Sequence, residues 1–99
     1  MSSAWTKVEF RSGKVAWMED TLQEDMLQVE YPNNFILDMG WYEDRYIINI
    51  IKDFEWDDPA VRHATQDAGQ VAELLTKAVE FIEAEQMAAK AALERLNNQ

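Results

Sequence analysis

The chain has ninety-nine residues, 47% of them hydrophobic and four of them tryptophan, which is the size of one domain and too apolar to stay disordered. Its formal charge is −10, and residues 19 to 67 hold thirteen of the nineteen carboxylates against Arg45, Lys52 and Arg62 alone, a balance that repels nucleic acid and anionic membranes. With no cysteine there is no disulfide and no thiolate chemistry. The first ten residues show no basic stretch followed by an apolar core, and no run reaches the length of a membrane span, so the expectation is a cytoplasmic protein.

In chain order, the first expected element is a hairpin. Ser12-Gly13 in "VEFRSGKVAW" has the form of a two-residue turn with glycine at a positive φ, which would pair Phe10 with Val15 and Val8 with Trp17. The acidic stretch 19 to 24 reads as a loop or a single helical turn. Leu27, Val29 and Tyr31 then alternate with polar neighbours as a strand does, and "PNN" supplies a short turn with Asn34 in the left-handed region. That turn pairs Tyr31 with Phe35, Val29 with Leu37 and Leu27 with Met39. A turn at Glu43-Asp44 pairs Trp41 with Tyr46, Met39 with Ile48 and Leu37 with Ile50. Each register puts the same apolar set on one face, and a slip of one residue would break the agreement.

"KDFEWDDP" reads as an acidic loop closed by Pro59, and "AVRHAT" as a short edge strand or a lead into a helix. Asp67 with Gln70 three residues later has the form of an N-cap with a capping-box partner. Val71, Leu75, Ala78 and Ile82 recur at helical spacing, and helix propensity continues to Leu96 over a stripe of small residues. The expected fold is a single α+β domain. An antiparallel four- to five-stranded meander in residues 1–66 is packed on one face by a long C-terminal helix over 67–96. The expected core is Val8, Phe10, Val15, Trp17, Leu27, Val29, Leu37, Met39, Trp41, Ile48, Ile50, Val71, Leu75 and Ile82.

The inventory is poor in catalytic groups. The serines are Ser2, Ser3 and Ser12, the only histidine is His63, and a nucleophilic site needs its serine held beside a base. One histidine without cysteine does not make a zinc site. Asp53, Glu55 and Asp57 start like a calcium loop, but Asp58 and Ala64 stand where glycine and glutamate are required. No glycine motif cradles phosphate. Neither catalytic residue, cofactor nor metal is expected.

Two surfaces stand out. Opposite the core face, the central hairpin sets Ile36 against Ile51, Asp38 against Asn49, Gly40 against Ile47 and Tyr42 against Arg45, an apolar patch that a partner or the chain itself must cover. In the 53–58 loop, Trp56 is ringed by Asp53, Glu55, Asp57 and Asp58, the make-up of a contact for a basic partner. The leading expectation is a non-enzymatic protein-binding domain of inhibitor, immunity or accessory type, by analogy of class with small acidic bacterial and phage proteins. It would use Ile36, Tyr42, Ile47, Ile51, Asp53, Glu55, Trp56, Asp57 and Asp58, and form a homodimer through the outer helix, the second sheet face, or both. A second expectation is a small-molecule-binding domain or minor enzyme with a sheet–helix pocket lined by Trp17, Trp41 and Tyr46. A third is an inhibitor whose carboxylates mimic nucleic acid phosphates.

Overall fold

Five antiparallel strands lie side by side in chain order: β1 (Lys14–Met18), β2 (Leu27–Tyr31), β3 (Phe35–Tyr42), β4 (Arg45–Lys52) and β5 (Val61–Thr65). One helix, α1 (Ala68–Asn97), packs on one face of this sheet, giving an α+β fold. The computed structural model describes residues 4–97, so Ser2 and Ser3 lie outside the described residues.

The registers of β2, β3 and β4 are those that the hydrophobic alternation demands: Val29 faces Leu37, Met39 faces Ile48, and Leu37 faces Ile50. Two turns enforce them. Asn33-Asn34 and Glu43-Asp44 both adopt φ between 50° and 65°, the paired left-handed conformation whose twist matches that of the flanking strands. Asparagine and aspartate tolerate it better than most residues. A third such pair, Asp53-Phe54, ends β4.

The side chains of Leu27, Val29, Leu37, Met39, Ile48 and Ile50 close against Val71, Leu75, Ala78, Val79 and Ile82 of α1. Asp67 caps the helix, its Oδ1 accepting from the Gly69 amide at 2.8 Å. The expected return bond from Gln70 is absent. Gln70 Oε1 instead accepts from the Thr65 hydroxyl, and Thr65 Oγ1 accepts from the Asp67 amide. Threonine at the end of β5 thus takes over half of the capping box.

The N-terminal hairpin does not form. Ala4–Lys7 make a 3-10 turn that puts Trp5 into the core beside Phe10, with Val8 partly buried. The turn at Phe10–Gly13 is closed by the Gly13 amide on the Phe10 carbonyl at 2.9 Å, and Arg11, not Gly13, carries the positive φ. Gly13 is needed for space: a Cβ there would sit 2.5 Å from the Tyr31 ring and 2.6 Å from Val29.

Val15 and Trp17, both expected inside, are exposed. The register shifts between them, so Val15 aligns with Val29 but Trp17 aligns with Gln28. A bulge of one residue sends the next side chain to the opposite face, and Trp17 stands half-exposed on the side away from the helix. Val15 keeps the core-side register, but it lies on an edge strand, while α1 packs over the Ala4–Lys7 turn, β3, β4 and β5. Val8 and Trp41, also expected in the core, are only partly buried.

Beyond Gln86 every described helical residue is exposed. Thirty residues span about 45 Å at about 1.5 Å each, so the last turns overhang the sheet. The inner half is pinned by Glu83, whose Oε1 accepts from both the amide and the hydroxyl of Ser12, and by Gln86, whose Nε2 donates to the Pro32 carbonyl. Those bonds from Ser12 hold the Glu83 carboxyl below its ordinary pKa.

Candidate functional site

The face of the sheet away from the helix carries Ile36, Asp38, Gly40 and Tyr42 of β3 against Ile51, Asn49, Ile47 and Arg45 of β4. It is not the bare apolar patch that its sequence suggests. Ile36, Ile47 and Ile51 are all buried within the chain, Ile51 to 1% exposure. Two segments come over this face. Residues 23–26 cross it, tied by the Trp41 amide on the Gln23 carbonyl and the Met26 amide on the Met39 carbonyl. Residues 53–60 turn back at Asp53-Phe54, and Trp56 ends beside Ile47 on the wall of a common cavity. Of the expected contact residues on the strands, only Tyr42 keeps substantial exposure.

That cavity is open, about 780 Å³ in volume, and lined by Glu24, Asp25, Asp38, Trp41, Tyr42, Glu43, Ile47, Asn49, Trp56 and Arg62. Gly40 allows it to exist. A Cβ on residue 40 would collide with the Glu24 carbonyl oxygen and approach Tyr42 Cε2 to 2.7 Å, so only glycine lets the 23–26 segment lie this close and bring Glu24 and Asp25 over the sheet. Trp41 is braced edge-on by Tyr46, ring centroids 4.9 Å apart, in the T-shaped geometry that aromatic quadrupoles favour. Arg62 reaches the wall from β5, where it is the partner of Asn49.

Electrostatically the cavity is short of positive charge. Four carboxylates line it against Arg62. Burial pushes the Asp38 carboxyl up to about 6, and Asp25 pushes it the same way, against a hydrogen bond from Asn49. The Tyr42 hydroxyl is raised too, by burial and then by Asp38, Asp25 and Glu24. With its amide nitrogen engaged by Asp38, the Asn49 Oδ1 is buried without a partner.

The Asp38 shift has a consequence for stability. A carboxyl raised in the fold binds a proton more tightly there than in the unfolded chain, so stability falls as pH rises from about 4 to about 6. Above that window the ionised carboxylate is a net cost. Asp38→Asn is therefore expected to stabilise the protein at pH 7 by about 1 kcal/mol, well below the roughly 3 kcal/mol of a fully buried group, because Asp38 stays in partial contact with water. The gain should vanish near pH 4. Urea unfolding at both values checks it, and destabilisation at pH 7 would show that the carboxylate is held for its hydrogen bond.

The 53–58 loop forms the outer rim. Phe54 is 61% and Trp56 47% exposed, so neither tucks under the sheet edge, and both line a shallow depression with Glu55, Asp57 and Asp58. The acidic composition around a tryptophan signals this part in the sequence. Asp38 and Asn49 are legible as one rung of the second face, but Glu24, Asp25, Glu43 and Arg62 carry no signal of their own, and Glu24 and Asp25 reach the cavity only because their segment lies against Gly40. The sheet–helix pocket does not form from Trp17, Trp41 and Tyr46. Trp17 donates from Nε1 to the Asp25 carbonyl at 3.1 Å on the cavity side of the sheet, while Trp41 and Tyr46 pack against the core on the helix side. Among the described residues no group of three or more histidine or carboxylate side chains is placed to hold a metal ion, and no helix is long and apolar enough to cross a membrane. No protein-family model matches the chain, and neither a curated protein nor a solved structure matches it.

Proposed function

We propose that this chain is a non-enzymatic binding domain of inhibitor or accessory type that holds a basic protein partner at the acidic cavity and its 53–58 rim. The observation that carries the proposal is the meeting of Trp41, Tyr42 and Trp56 with Glu24, Asp25, Asp38 and Glu43 around one opening. Aromatic side chains supply contact area at low entropic cost, and the carboxylates steer and orient a cation. The exposed pair Phe54 and Trp56 extends this surface outward. Phe54 holds φ at 62°, a conformation that costs a non-glycine residue roughly 1 kcal/mol or more, as expected of a loop kept for contact more than for stability.

Affinity capture from the native host tests the proposal, with the wild-type chain beside the double variant Trp56→Ala, Asp57→Lys. A basic protein retained by the first, lost by the second and released as salt rises from about 50 to 300 mM is the expected result. Identical retained sets would refute it.

We further propose that a second copy covers the overhanging helix, on which Met87, Leu93 and Leu96 are exposed beside the alanines of the same segment. Two-fold pairing is the commonest way for like chains to bury such a stripe. Light scattering at micromolar concentration should give twice the 11.5 kDa chain mass, and the monomer mass refutes pairing.

A further inference from the structure

We propose that the cavity is a guanidinium site: an arginine side chain of the partner enters it, laying its plane against the aromatic walls and directing its N–H groups at Asp38. The inference rests on the reading of the cavity as the seat of a basic partner, and goes further by naming the group. Two features separate guanidinium from the ammonium of lysine. The aromatic walls on this face are Tyr42 and Trp56, and a planar, weakly hydrated cation stacks on such faces where a compact, strongly hydrated ammonium does not. Asp38 stands on one rung of the β3–β4 ladder with Asn49, whose side chain hydrogen-bonds the carboxylate and holds it at the cavity wall. A forked donor answers both oxygens of such a carboxylate, whereas a point charge answers one.

Charge supports the same occupant. Asp38 interacts with Asp25 and Tyr42 and shares the lining with Glu24 and Glu43, with Arg62 the one cation on it. Burial first, and then the neighbouring Asp25, push Asp38 up to about 6, and a second cation in the cavity offsets both. Arginine binding is therefore coupled to proton release from Asp38, and it strengthens as pH rises through 6.

Tryptophan fluorescence of the full chain, titrated with hexa-arginine, hexalysine and hexacitrulline at pH 7.5 and pH 5, tests the assignment. Hexa-arginine is expected to bind at least tenfold tighter than hexalysine, with hexacitrulline inert. Its affinity should fall severalfold at pH 5, and Asp38→Asn should remove both the preference and the pH dependence while the variant stays folded by circular dichroism. Equal affinities for the arginine and lysine peptides overturn the guanidinium site and leave the basic-partner reading standing. Binding of neither peptide overturns both. Tight hexa-arginine binding unaffected by Asp38→Asn places the contact on the 53–58 rim and also overturns the site.

Discussion

Leu37→Ala is expected to lower the unfolding free energy by about 2–5 kcal/mol, the range for large-to-small changes in a packed core. Leu37 is fully buried at the middle of β3, flanked by Val29 on β2 and Ile50 on β4, and it belongs to the cluster closed by α1. Strands on both sides and the helix above leave little room for collapse into the space vacated, so the upper half of the range is the better expectation. Chemical denaturation with the slope held fixed measures it. A loss below about 1 kcal/mol would mean that Leu37 is on the wrong face, and with it every register in the sheet.

Gly40→Ala should be the second large effect, with a sign opposite to intrinsic preference. Replacing glycine inside an element by alanine ordinarily stabilises by roughly 0.5–1 kcal/mol. Here the added Cβ meets the Glu24 carbonyl, which is backbone and cannot swing aside as a side chain does, and its carbon at 2.9 Å. Overpacking of this kind costs about 1–3 kcal/mol, and relief requires the 23–26 segment to lift with Glu24 and Asp25. The variant should lose stability and, in the same measurement series, affinity for hexa-arginine. A neutral or stabilising result would show that the crossing segment is free to shift.

The β2–β3–β4 meander was legible because two independent signals agreed, the alternation of Leu27, Val29, Leu37, Met39, Ile48 and Ile50 and the turn residues between the strands. At Ser12-Gly13 the same two signals agree, with Val8, Phe10, Val15 and Trp17 expected on one face, and yet no hairpin forms. A glycine kept for the approach of Tyr31 and Val29 looks the same in sequence as one kept for a positive φ. Trp17 was misplaced because a bulge leaves the alternation of its own strand intact and changes only its alignment with the neighbour. Trp5 gave no periodic signal, standing alone in a short polar segment. For the site, the acidic tryptophan loop and the Asp38–Asn49 rung were visible. Their union was not, since it depends on a segment passing over the sheet at Gly40.

The order of the strands in the sheet is their order in the chain, which bears on how the molecule is assembled. Every rung of the ladder joins sequence neighbours, so each closure encloses a short loop and costs little chain entropy. Contacts of high sequence separation are deferred to the docking of α1, which joins Ser12 to Glu83 across 71 residues. A chain ordered this way is expected to zip its meander first and to reach its transition state with the helix not yet seated, at the brisk rates of low-contact-order folds. The bonds from Ser12 to the helix then act as a late latch, whose loss should speed unfolding while leaving the folding rate nearly unchanged.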